Sequence, residues 1–176
     1  MQFDHLEIVG IAIEAGLSIM DVYDSSVQIE VQSKEDDSPL TKADIAAHKT
    51  IIRGLSTINP EVPVVSEEGR VGDPKKSELA WLVDPLDGTK EFIKRNGMFT
   101  VNIALMKRMG PQWKPIFGVV HAPVNRTTWF GGVDVPATKI TDAETSEISV
   151  KKQTSTQPRL VASGSHRAER DEKFAK

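Results

Sequence analysis

The richest chemistry in the chain lies in the segment Trp81-Leu-Val-Asp84-Pro-Leu-Asp87-Gly-Thr-Lys-Glu-Phe-Ile93. An apolar run ends on Asp84, and a second carboxylate, Asp87, follows three residues later. Pro85 and Gly88 call for a tight turn here, so the two carboxylates can converge on one point. Gly88 also lets a ligand approach the backbone closely. Thr89 is suited to cap a following helix, whose amino terminus offers N–H groups and the positive end of a dipole to a phosphate. Two carboxylates beside an anion seat repel the anion unless a hard cation lies between them. Magnesium, which takes carboxylate, water and phosphate oxygens, resolves that conflict. Taken alone, Asp-Pro-x-Asp-Gly is also ordinary turn composition, in which both aspartates simply cap backbone groups.

Two further acidic segments stand upstream. Ser66-Glu67-Glu68-Gly69 follows a short apolar run, which would place Glu67 at the carboxyl end of a strand, or else in a solvated loop. Ser38-Pro-Leu-Thr-Lys-Ala-Asp44 opens a helical pattern, and there Thr41 and Asp44 have the spacing of a capping box. The chain has no cysteine, which excludes disulfides, thiolate zinc sites and cysteine nucleophiles. Any metal must sit on oxygen or imidazole.

In order and approximate spacing, these three segments together resemble the inositol monophosphatase superfamily. Lys90-Glu91-Phe92 is similar to its bisphosphate nucleotidase branch, as are Phe99-Thr-Val-Asn-Ile-Ala104 and Gly118-Val-Val-His-Ala-Pro123. The resemblance runs from Leu6 to about His166. It implies that Glu67, Asp84 and Asp87 bind metal through their carboxylates and Leu86 through its backbone carbonyl. It implies that Asp44 and Thr89 activate the attacking water. Gly88 and Thr89 would meet the phosphate, with Glu67, Leu86 and Asp87 on the same substrate-binding side. In Ser163-Gly-Ser-His166, the first and last residues would contact the nucleotide.

The implied reaction is Mg2+-dependent removal of the 3′-phosphate of adenosine 3′,5′-bisphosphate by two-metal in-line displacement, giving AMP and phosphate. The alternatives are an inositol or sugar phosphate phosphatase, or an inactive truncated fragment that binds metal and phosphate without turnover. The resemblance also implies a second αβ portion, which carries a Trp-Asp motif and a lysine-bearing Gly/Ser-rich segment. Neither is found here, since Trp81, Trp113 and Trp129 all precede non-acidic residues.

The elements that must position these residues can be read from periodicity. Residues 2–23 predict a helix with Leu6, Val9, Ile13, Leu17 and Met20 on its buried face. Val27, Ile29 and Val31 alternate as a strand does. A second helix is expected over 42–58, burying Ile45, His48, Ile52, Leu55 and Ile58. Strands are expected at 62–65 and at 80–83, the latter buried on both faces, with a charged surface loop over 67–78. From Phe99 the pattern alternates, with Phe99, Val101, Ile103 and Leu105 on one side and Thr100, Asn102 and Ala104 on the other. Strands follow at 115–121 and 127–130, then a variable surface stretch at 134–157, a strand at 159–162 and a charged helix from Arg167. The sum is an α+β layered fold, with two helices on a mainly antiparallel sheet. Its division is 1–158 for the amino-terminal catalytic portion and 159–176 for the start of a second portion.

Bulk properties agree with a small-molecule enzyme. The 22 basic and 25 acidic residues give a net charge of −3, which argues against a nucleic-acid-coating surface. No apolar run reaches membrane-spanning length, and the amino terminus lacks a signal-peptide pattern, so a cytoplasmic location is expected. The resemblance implies a nucleotide bisphosphate as the small-molecule partner; a homo-oligomer is left open.

Overall fold

Asp4 starts the first helix. Its side chain accepts the Leu6 amide at 2.9 Å, and helix α1 runs His5–Tyr23. The computed structural model describes residues 4–25, 31–33 and 39–150. Strands β1 (Val31–Ser33) and β2 (Pro39–Thr41) form a small antiparallel ribbon that leads into helix α2 (Lys42–Ile58). Then come β3 (Val64–Ser66), β4 (Gly69–Val71), a 3-10 turn at Pro74–Lys76, β5 (Leu79–Asp87) and the short helix α3 (Thr89–Ile93). The chain continues with β6 (Thr100–Met109), β7 (Gln112–Ala122), β8 (Thr127–Gly132), β9 (Val135–Ile140) and β10 (Thr145–Glu147).

Eight strands form one sheet in the order β10-β9-β8-β7-β6-β5-β3-β4. Every pairing is antiparallel except β3 with β5. Helices α1 and α2 pack on each other and on β5, β6 and β7. The core between these layers holds Trp81, Val83, Val101, Ile103, Leu105, Phe117 and Val119 from the sheet. The α+β reading, with helices on a mainly antiparallel sheet, therefore holds, as does the inward set of Phe99, Val101, Ile103 and Leu105.

Four local expectations are corrected. The buried face of α1 is Ile8, Val9, Ile11, Ala12, Ala15, Gly16 and Ile19, whereas Leu6 and Leu17 are 60% and 62% exposed. The cause is the tight approach that small residues allow. A Cβ on Gly16 would lie 2.5 Å from the His121 ring. Likewise α2 buries Ala43, Ala47, Thr50, Ile51 and Leu55, while Ile45, His48, Ile52 and Ile58 are only half-buried. Strand β5 is covered on one side only: Trp81 and Val83 are buried, but Leu82 is 49% exposed. It has just one parallel neighbour, and no described element lies over its second face. That open face continues across Ala104 to Val120 on β7, which is 40% exposed. Finally, 67–78 and 134–150 are not plain loops. They supply the two edge strands of the sheet, β4 and β10, and β9 beside β10. The strand expected at 159–162, the helix from Arg167, and Val27 and Ile29 lie outside the described residues.

Candidate active site

Strand β5 delivers Asp84 and Asp87, and a bulge sets their relation. Asp84 pairs with Asn102 on β6 and Asp87 pairs with Thr100, so three steps on β5 match two on β6. In a regular strand, residues three apart point to opposite faces. The extra residue cancels that inversion and returns both carboxylates to the side of Thr100 and Asn102. Leu86, in the bulge, drops its side chain into the core at 2% exposure, and its amide N–H supports the Asp84 carboxylate.

Gly88 ends the bulge with φ +98°, a conformation that side chains with a Cβ resist. A Cβ there would also lie 2.9 Å from the Met98 carbonyl oxygen. Gly88, not Thr89, is the N-cap of α3, and that helix is only five residues long. The anion seat expected at its start therefore rests on little more than one turn. The Thr89 hydroxyl is used differently, standing 3.2 Å from Asp44 Oδ1 and 3.3 Å from the Leu86 carbonyl oxygen, with one proton to donate between them.

Asp44 forms the capping box expected of it and also meets Thr89. Its Oδ2 accepts the Thr41 amide at 2.8 Å and the Thr41 hydroxyl at 2.5 Å, which completes the capping box of α2. Its Oδ1 faces Thr89. Asp44 is 2% exposed and Thr89 is half-buried, and their hydrogen bond joins two elements distant in sequence.

Glu67 follows β3, at the carboxyl end of the strand parallel to β5. Its amide donates to the Val83 carbonyl at 3.1 Å, which sets it beside Asp84. Ser66 is clamped from behind. Its hydroxyl stands 2.9 Å from His48 Nδ1 and accepts the Glu68 amide at 3.3 Å. Burial lowers the His48 pKa, partly countered by Glu68, so the ring stays neutral over a wider range.

Electrostatics make Asp84 the centre of the site. Burial, then the neighbouring charges of Glu67 and Asp87, push its carboxyl up to about 7, and a hydrogen bond with the Glu67 side chain adds to this. Its Oδ1 is buried with no hydrogen-bond partner among the described residues. An orphaned carboxylate oxygen flanked by two more carboxylates is a donor set that suits a hard divalent cation. Among the described residues, however, no three His, Asp or Glu side chains close into a ready-made cage. One oxygen of Asp87, Oδ2, accepts a hydrogen bond from the Asn102 amide at 3.0 Å.

The structure thus gathers Asp44, Glu67, Asp84, Leu86, Asp87, Gly88 and Thr89 at one edge of the sheet, at the carboxyl ends of β3 and β5. Ser163 and His166 lie outside the described residues. Sequence reasoning missed the roles of Thr100, Asn102 and His48. The alternation from Phe99 already put Thr100 and Asn102 on the non-core side, but nothing local tied them to Asp87.

The inositol monophosphatase family model matches residues 4–176. The chain belongs to the inositol monophosphatase family. Within the family it is 52% identical over 130 residues to the 3′(2′),5′-bisphosphate nucleotidase CysQ of Salmonella typhimurium, covering 70% of this chain and 50% of that one. It is 55% identical over 120 residues to the CysQ nucleotidase of Escherichia coli K12, covering 67% and 47%. The crystal structure of CysQ from Bacteroides thetaiotaomicron superposes with a TM-score of 0.69 at 32% identity, covering 97% of this chain and 66% of that one. The chain spans about half the length of the nucleotidases it matches. No described helix is long and apolar enough to cross a membrane.

Proposed function

We propose that the chain is part of a Mg2+-dependent phosphomonoesterase that removes the 3′-phosphate of adenosine 3′,5′-bisphosphate. The observation that carries this reading is the Asp44–Thr89 pair, joined across two separate elements, with the Thr89 hydroxyl also reaching Leu86, whose amide supports the Asp84 carboxylate beside Glu67. The relatives' printed activity and the Lys90-Glu91-Phe92 signature narrow the substrate to a nucleotide bisphosphate over an inositol phosphate. Glu67, Asp84, Asp87 and the Leu86 carbonyl would hold the cation. When bound, magnesium supplies the positive charge that phosphate oxygens and the reacting water require.

The remaining chemistry falls to the chain itself. Thr89 Oγ1 can accept a proton from the attacking water as it passes its own to Asp44 Oδ1. Asp44 is held by two donors on its other oxygen, so it cannot rotate away as the proton arrives. Gly88, without a side chain, leaves its backbone open to the phosphoryl group.

The test is phosphate release from adenosine 3′,5′-bisphosphate and from inositol 1-phosphate across a magnesium titration. The proposal expects magnesium-dependent release from the nucleotide that Asp84→Asn abolishes. Preference for inositol phosphate overturns the substrate assignment. Metal binding without release from either supports the non-catalytic reading.

A further inference from the structure

Asp87 has two oxygens, and the fold commits one of them. Asn102 Nδ2 donates to Asp87 Oδ2 at 3.0 Å, while the Thr100 hydroxyl donates to Asn102 Oδ1 at 3.1 Å. The direction of this chain of bonds is settled by chemistry. A carboxylate only accepts, so the amide nitrogen must be the end that faces Asp87. The amide oxygen then faces Thr100, whose hydroxyl must supply the proton. Thr100 thus prevents the Asn102 amide from flipping, and Asn102 in turn fixes the torsion of Asp87. All three stand on one side of the sheet because the β5 bulge realigns Asp87 with the alternation of β6.

This chain of bonds contributes little to folding. Asp87 is exposed and Thr100 and Asn102 are half-buried, so water replaces these bonds readily in the unfolded state. Orientation is what they provide. We propose that Asn102, backed by Thr100, is a positioning residue that reserves one Asp87 oxygen and presents the other to the cation. This rests on the metal-site reading above.

The test uses Mn2+ alone as an EPR-visible probe of divalent binding, without substrate, together with thermal melts in EDTA. Asn102→Ala is expected to weaken Mn2+ binding on the order of tenfold, the usual effect of losing an outer partner of a ligand. Thr100→Val, which removes only the hydroxyl, should weaken it by a smaller factor. Both should melt in EDTA as the unaltered chain does. If Asp84→Asn weakens Mn2+ binding while Asn102→Ala and Thr100→Val leave it unchanged, the positioning role is overturned and the metal site stands. If the unaltered chain binds no Mn2+, or Asp84→Asn binds as well as it does, both readings fall. Should Asn102→Ala melt lower in EDTA, Thr100→Val decides: unchanged Mn2+ affinity overturns the proposal.

Discussion

At the scale of single residues, the site turns on which oxygen of which carboxylate is already engaged. If Thr89 links water to Asp44 as proposed, Thr89→Ala should lower kcat by about 10²–10⁴-fold, the span of general acid–base contributions. Thr89→Ser keeps the hydroxyl and should retain most of the rate. Equal losses in both variants would show that the hydroxyl carries no proton. Asp84 makes a separate prediction about pH. Its folded-state pKa of about 7 lies above the ordinary 3.8, so between these values the folded chain holds a proton that the unfolded chain releases. Stability of the metal-free protein must therefore fall as pH rises through that window. In EDTA, Asp84→Asn should gain melting temperature relative to the unaltered chain from about pH 5 to about pH 8, and a constant difference across that range would contradict the assignment. His121 acts in the opposite sense. Burial lowers its pKa, so protonation favours the unfolded chain and stability falls as pH drops below the ordinary 6.5.

At the scale of elements, helix α1 separates what was legible from what was not. Its extent is plain in the sequence, but its buried stripe is not, because large apolar residues draw the eye to Leu6 and Leu17. The face that packs is built from Ala12, Ala15 and Gly16 with Ile8 and Ile19 between them. Close approach is worth more there than side-chain bulk, and small residues carry no hydrophobic signal strong enough to mark it. Denaturant titration should find Ile19→Ala destabilising by about 2–5 kcal/mol. Leu17→Ala should fall within about 0.5 kcal/mol of the unaltered chain. Gly16→Ala forces a methyl against the His121 ring and should cost about 1–3 kcal/mol. A larger loss at Leu17 than at Ile19 would restore the periodicity reading. The candidate site was more legible than the packing. Asp44 opens α2, Glu67 follows β3, Asp87 ends β5 and Asp84 stands at its bulge, and motifs mark such places. The roles of Asn102 and His48 depend on pairing across strands and helices, which no local spacing records.

At the scale of the molecule, the sheet has one clothed face and one bare one among the described residues. Leu82 and Val120 are exposed on the bare side, beside Glu67 and Asp84. A net charge of −3 offers little mutual repulsion to keep such faces apart. The polypeptide of residues 1–176 should therefore associate with itself as concentration rises in sedimentation velocity. Leu82→Lys should shift the distribution toward monomer. A chain that stays monomeric at every concentration, with or without the lysine, would show that this face is covered.

The divided carboxylate of Asp44 has one more consequence. The Thr41 amide proton is locked onto Oδ2 of the same group whose Oδ1 meets Thr89. That amide can trade its proton for deuterium only when the carboxylate swings off and the first turn of α2 frays. Its exchange rate is thus a clock for how often the Asp44 carboxylate is out of place, readable without substrate or metal. Mild heating should speed that clock before the core β-strands open, so Asp44 should lose its aim at temperatures where the chain is still folded.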